Sequence, residues 1–507
     1  MKYTNPIIPG FHPDPSICRV GEDFYLVNSS FEYFPGVPIY HSRDLMNWRQ
    51  IGHCLTRESQ LPLKGVKPSD GIYAPTIRYH EGRFYMVTTN MTGGGNFYVW
   101  TEDPAGEWSD PIWVAQKGID PSLLFDNGKV YFTSNGTGWA PVRGAYQCEI
   151  DIATGKQLTE SKFLWPGTGG SYPEAPHLYH IGDWYYLTLA EGGTAECHMV
   201  TIARSRDPYG VTSPFESCPH NPILTHRSLM NDIQSTGHGD LFEDHHGNWW
   251  IVFLGYRYGE YSWHHLGRET YLAPVEWIDG WPIVNHGEKV LCTMEVDRPM
   301  TPCLWPASAE RDDFDATALG FAWNHLRNPD PSLYSLSERP GSLRLSCGKP
   351  SLDEQDSPAF VGRRQEHFDC VISTLLDFNP ASENEEAGFT VLADNNHHCE
   401  LAVTRRGGKR CAIVRRRIGS LSAQVACMEI APGPVELSIQ CDKTTYRFLA
   451  GSPGSLAELG KAETRYVSTQ VAGGYTGVYF GLYATSHGRE SAGKAYFDWF
   501  DYCVVTQ

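Results

Sequence analysis

The chain has 507 residues, with 41 Lys and Arg against 59 Asp and Glu, a formal net charge of −18. One hydrophobic core stops growing well below that length, so at least two domains are expected. The acidic excess repels phosphate backbones and anionic lipid surfaces, and 20% charged residues beside 15 Trp, 27 Tyr and 22 Phe exclude a disordered chain.

The N-terminal stretch lacks the apolar run of an export signal, because Pro6, Pro9 and Gly10 interrupt it. Nowhere are about 18 consecutive apolar residues found, so no membrane partner is expected. The 14 Cys are scattered without a Cys-x-x-Cys pair, which fits free thiols in a reducing cytoplasm better than a zinc ribbon or a disulfide scaffold.

One phrase recurs five times: a Pro-flanked or acidic start, a few apolar residues, a turn with Gly, and an aromatic strand. The copies run from Asp14-Pro15-Ser16-Ile17 to Gly21, from Ala74-Pro75-Thr76-Ile77 to Gly82, from Asp120-Pro121-Ser122-Leu123 to Gly128, from Ala175-Pro176-His177-Leu178 to Gly182, and from Gly239-Asp240-Leu241 to Gly247. Each reads as a β-hairpin with room before the next for two further strands, the content of a propeller blade. Pro and Gly break nearly every stretch long enough for a helix. The prediction is all-β: a five-bladed β-propeller over 1–305, left through Pro299, Pro302 and Pro306, then a β-sandwich over 306–507, where short alternating strands such as Gly341–Ser346 and Tyr496–Tyr502 replace the repeat. A stacked solenoid is the alternative, but its repeats are shorter and more regular.

Aligned on the turn glycine, the start of each first strand carries Asp14, Ala74, Asp120, Glu174 and Asp240, with His238 just before the last. Three carboxyls facing one axis shift one another's pKa values, and folding requires no such arrangement. Glycoside hydrolysis does require it: one carboxyl holds a proton for the leaving oxygen and another, ionised, activates water. Glu174, bracketed by aromatics and prolines, is the acid candidate and Asp14 the base, with Asp120 holding Glu174 and its pKa in place. Taken singly, each Asp before Pro reads equally as turn chemistry. The shared register on three repeats argues for more.

Asn5-Pro6-Ile7-Ile8-Pro9-Gly10-Phe11-His12-Pro13-Asp14-Pro15-Ser16, followed by Ser29-Ser30-Phe31-Glu32-Tyr33-Phe34-Pro35-Gly36-Val37, closely resembles glycoside hydrolase family 43. Gly118–Ser122, Glu174–Tyr179, Ala190–Thr194, Thr236–Asp240 and Leu266–Thr270 extend the resemblance along nearly the whole chain. It implies an inverting mechanism, the same roles for Asp14, Asp120 and Glu174, and a concanavalin-like accessory sandwich. Phe31 and Tyr73 would wall the sugar pocket, and Arg268 would set a cation beside the carboxylates. On composition alone Phe31 and Tyr73 read as core aromatics, and Arg268 as a neutraliser of acids. Tyr73 stands where β-xylosidase relatives commonly carry Trp, which tilts the reading toward arabinofuranosidases.

His238 is the candidate ligand of a divalent cation such as calcium in the axial channel, with a hydrogen-bonded structural histidine as the alternative. The chemistry itself needs no cofactor. The expected partners are arabinose- or xylose-containing oligosaccharides, without nucleic acid, and a homo-oligomer is left open. The expected activity is exo-acting release of terminal α-L-arabinofuranosyl or β-D-xylosyl residues, with loops 52–70 and 206–235 walling a pocket and the Gly474-Tyr475-Thr476-Gly477 turn adding to it. A carbohydrate-binding propeller without catalysis is the rival from another class, although repeated sites would repeat their residues on each blade. Arg405, Arg406, Lys409, Arg410, Arg415, Arg416 and Arg417 read as a solvated strand face or an interface.

Overall fold

The computed structural model describes residues 1–298, 300–306 and 310–505. Strands make up 49% of the structure against 3% helix, so the chain is all-β as expected. Pro299, one of the prolines read as leaving the repeats, lies outside the described residues.

Each repeat becomes one antiparallel sheet whose strands follow chain order. The first holds Ser16–Val20, Asp23–Val27, Gly36–Ser42 and Arg49–Leu55; the second begins at Thr76–His80, the third at Ser122–Asp126, the fourth at Glu174–Ile181 and the fifth at Ile233–Glu243. Second strands such as Trp249–Arg257 read as unbroken apolar runs because both their faces are covered. The first strand of each sheet packs on that of the next, and that of the fifth returns to the first. The loop expected at 206–235 is partly spent as sheet, since Glu216–Ser217 and Leu224–Thr225 both pair with Met199–Ser205.

Where the first strands meet, the carboxylate of Asp240 is fully buried. It accepts from Ser16 Oγ (2.7 Å) and Ile17 N (3.2 Å) of the first sheet, Arg78 Nη1 and Nη2 (2.8 and 3.0 Å) of the second, and Tyr179 OH (2.8 Å) of the fourth. Ser122 Oγ of the third sheet donates to Pro176 O of the fourth at 2.6 Å. Arg78 foremost, opposing the cost of burial, holds the Asp240 carboxyl far below the usual carboxylate range.

The C-terminal part is two sheets. A six-stranded one contains Ala359–Arg364, Glu386–Asp394, His397–Arg406, Lys409–Ile418, Leu421–Glu429 and Tyr479–Thr485, and it faces an eight-stranded one centred on Cys370–Asp377 and Lys494–Val504. Its outer face meets the repeats through Phe11, Phe31 and Tyr33, which pack with Leu326, Phe360, Tyr479 and Tyr483. Tyr33 stacks on Tyr479 at 3.9 Å between ring centroids. His325–Leu326 pairs with Tyr33–Phe34, and the buried Arg364 donates through Nε to Phe11 O at 2.8 Å. The basic cluster is not a uniformly solvated face: Arg415 bridges the buried Glu386 and Glu400.

Asp240→Ala strands the Arg78 cation without its partner, and the expected loss is about 3–5 kcal/mol of unfolding free energy in urea titrations. Arg78→Met combined with Asp240→Leu should recover only the part due to the stranded charge, because Ser16 Oγ, Ile17 N and Tyr179 OH still lose their acceptor.

Candidate active site

An N-terminal arm delivers Asp14. Lys2–Thr4 pairs with Thr293–Glu295, and Asn5 holds Leu272 through both its amide nitrogen and its amide oxygen, at 3.0 Å each. Further along, Ile7 N donates to Thr270 O and His12 N to Arg268 O, both at 2.9 Å. The arm therefore runs beside the strand Glu269–Ile278 and ends with Asp14 against Arg268. Asp14 Oδ1 accepts from Arg268 Nη1 at 2.7 Å and Oδ2 from Ser29 Oγ at 2.5 Å.

Measured from the last pair of each hairpin (Val20 with Asp23, His80 with Arg83, Asp126 with Lys129, Ile181 with Trp184), Asp14, Ala74, Asp120 and Ala175 occupy one register position. Glu174 falls one residue earlier, which corrects the alignment on glycine. Gly21 and Gly182 take the first place of their two-residue turns, whereas Gly82 and Gly128 take the second. The offset is absorbed by a β-bulge: Glu174 pairs with Ala190, but the next pair is His177 with Thr188. Asp14, Asp120, Ala175 and His238 all have φ between 49° and 54°, a costly conformation that concentrates at functional sites.

The bulge also joins two of the acids, because Ala175 N donates to Asp120 Oδ2 at 3.1 Å. Burial first, then Glu174 and Asp14, push the Asp120 carboxyl well above the usual range. Glu174 accepts no hydrogen bond among the described residues. Burial, then the Asp14 carboxylate, raise its pKa to about 7, against the cations of Arg268 and Arg143. The structure thus brings the three predicted carboxyls close enough to act on one another.

Phe31, Tyr73 and Arg268 converge with them. The Phe31 ring lies 5.4 Å from that of Tyr73 and 6.0 Å from that of Tyr475, and the Arg268 guanidinium sits 5.5 Å from Phe31 and 5.7 Å from Tyr475. Tyr475 belongs to the predicted C-terminal turn. Its N–H donates to Ser69 Oγ (2.8 Å) in the loop 52–70, and its carbonyl accepts from Arg268 Nη2 at 3.3 Å. Gly267 and Gly477 permit the approach: a Cβ on Gly477 would fall 2.3 Å from Leu266 O. Arg268 Nε is buried without a partner among the described residues.

Several contributors were not singled out by sequence reasoning. Ser29 and Glu191 lay inside quoted motifs, but their roles come from distant contacts. Glu191 is fully buried and takes the N–H groups of Thr168 and Gly170, both 2.9 Å away at the closest oxygen, which organises the glycine-rich loop 167–170. Arg143, whose cation acts on Glu174, carried no sequence signal.

His238 Nδ1 lies 3.4 Å from Asp14 Oδ1, and burial lowers its pKa, leaving it neutral. Among the described residues no group of three or more His, Cys, Asp or Glu side chains is placed to hold a metal ion. Asp14, the acid beside His238, is already engaged by Arg268.

Residues 3–282 match glycosyl hydrolases family 43, and residues 311–503 match the β-xylosidase C-terminal concanavalin A-like domain. The chain belongs to glycoside hydrolase family 43, an inverting family of glycosidases. It is 46% identical to a non-reducing end alpha-L-arabinofuranosidase, BoGH43B, of Bacteroides ovatus over 99% of this chain and 94% of that protein. A xylosidase/arabinosidase of Butyrivibrio fibrisolvens is 39% identical over 98% of both. Among solved structures, the GH43B protein of the Bacteroides ovatus xyloglucan PUL superposes with a TM-score of 0.96 at 45% identity over 100% of both chains. A xylan beta-1,4-xylosidase of Bacillus halodurans gives 0.93 at 35% identity over 99% of this chain and 100% of that one.

Asp14→Asn should lower the Glu174 pKa by removing an anion, and Arg143→Met should raise it by removing a cation. Carboxyl ¹³C NMR titration of Glu174 reads both shifts, and their opposite signs are the check.

Proposed function

We propose that the chain is an exo-acting inverting glycosidase that releases terminal α-L-arabinofuranosyl residues from hemicellulose-derived oligosaccharides, as in xylan breakdown, with β-D-xylosyl residues second. The carrying observation is the pairing of Glu174, unpartnered and with its pKa raised by burial to about 7, with an Asp14 carboxylate fixed by Arg268 and Ser29. In this reading Asp14 takes a proton from water as its oxygen attacks the anomeric carbon. The bond from that carbon to the leaving oxygen breaks, and the leaving oxygen receives the Glu174 proton. Asp120 positions Glu174 through the Ala175 amide. Phe31, Tyr73 and Tyr475 wall the pocket, and Arg268 sets its cation beside Asp14 and the Tyr475 carbonyl.

The five sheets are read as the blades of a propeller spanning 1–305, with the concanavalin-like sandwich over 306–507 closing one side of the pocket. That wall supports exo action, since an endo-enzyme needs an open groove. The name of the 46% identical relative and Tyr73 favour arabinofuranose. The relative named for both sugars keeps xylose as the second reading. Neutral His238 is read as a structural histidine beside Asp14, and the scattered free thiols favour a cytoplasmic location.

Rates on 4-nitrophenyl α-L-arabinofuranoside and 4-nitrophenyl β-D-xyloside, measured side by side, should favour the first. Glu174→Ala should lose roughly a hundredfold or more in kcat on an oligosaccharide, whose leaving group needs the proton. Inactivity of the parent enzyme on both glycosides would favour the binding-module reading. Because Glu174 donates only while protonated, activity should fall as pH rises through about 7, and a profile flat across that range would reject Glu174 as the acid.

A further inference from the structure

A second cavity, of about 570 Å³, opens where the repeats meet the C-terminal sheets, and it shares no residue with the carboxyl site. Phe34 and His53 come to it from the first sheet and its loops; Phe321, Trp323, His325 and Tyr334 come from the other side. Its size suits a bound small molecule.

None of its lining residues is Asp, Glu, Lys or Arg, in a chain whose net charge is −18. An ion placed there would be desolvated without a counter-charge, so the cavity selects a neutral ligand. Its aromatic side chains offer apolar faces, and Phe321 is 52% exposed, with its ring 6.4 Å from that of His53.

The two imidazoles supply the polar complement. Both are more than nine-tenths buried, and burial lowers their pKa values to about 3 for His53 and about 4 for His325, so both are neutral. His325 Nδ1 donates to Phe360 O at 3.0 Å, which leaves Nε2 an acceptor with no partner among the described residues. His53 Nε2 accepts from Gln50 Nε2 at 3.1 Å, which leaves Nδ1–H a donor in the same condition. Both histidines line the cavity. One acceptor and one donor beside apolar rings match a sugar, whose hydroxyls donate and accept and whose C–H faces stack.

We propose that this cavity is a second, non-catalytic site that binds a neutral oligosaccharide. The site rests on the cavity itself; the choice of pentose oligosaccharides as probes rests on the activity proposed above. Equilibrium dialysis of the full-length Glu174→Gln chain, with the sugar checked intact at the end of the run, would measure the xylotetraose and arabinotetraose bound at saturation. Adding Phe321→Ala, at a half-exposed position, should remove one equivalent of bound sugar per chain, and Tyr334→Ala should do the same. Unchanged stoichiometry in both variants, each verified as folded by its thermal melt, would overturn the proposal. In the otherwise native chain, Phe321→Ala should hydrolyse the 4-nitrophenyl glycoside at the parent rate. A parent chain inactive on that glycoside that still loses an equivalent with Phe321→Ala would separate failure of the catalytic reading from failure of this one.

Discussion

The ring depends on one buried carboxylate. Asp240 draws donors from the first, second and fourth sheets while belonging to the fifth, and the Ser122 hydroxyl ties in the third. Isolated, a carboxylate with no exposed surface would be expensive; with the Arg78 guanidinium and three further donors around it, the charge is met from several directions. The arrangement also specifies neighbours, because no other pairing of sheets gives Asp240 the same partners.

That hub sets the spacing of the site. Ser16 follows Asp14 by two residues and Asp240 follows His238 by two, so each of these groups is tied by a two-residue link to a side chain anchored at the axis. Left-handed backbone at Asp14 and His238 and the register shift between Gly237 and Asp240 break the strand alternation there, so the short link rather than the pleat limits where each emerges. The left-handed backbone at Asp14, Asp120, Ala175 and His238 is then a shared way of turning the chain into the ring. In the fourth sheet Ala175 stands where the first three offer an Asp or an Ala, and the bulge breaks the symmetry by setting the acid, Glu174, one residue earlier.

Much of this was legible in the sequence. The hairpins announce themselves by turn glycines and aromatic strands, and Asp14 and Asp120 stand out because each precedes a proline at the head of a repeat. Glu174 was found, but through a count that treated turn glycines as equivalent when they occupy two different turn positions. The 474–477 turn could be nominated from its glycines. What remained hidden depends on side chains meeting across the ring or across the two halves. Ser29 against Asp14, Glu191 under the 167–170 loop, Tyr33 stacked on Tyr479, and Arg415 between two buried glutamates have no local pattern that distinguishes them from ordinary polar or aromatic residues. Asp240 was legible as an axial acid, and only its contacts reveal it as a structural centre.

Asp14 and its arginine are separated by 254 positions, and Tyr475 lies in the closing turn of the C-terminal half. The pocket is therefore assembled from the beginning, the middle and the end of the chain at once. During synthesis the arm that bears Asp14 emerges first and must wait for its strand partners, and Tyr475 arrives late to complete the aromatic wall begun by Phe31 and Tyr73. Hydrolytic competence is in that sense a property of the finished polypeptide: a truncated chain can hold much of its sheet structure and still lack a closed pocket.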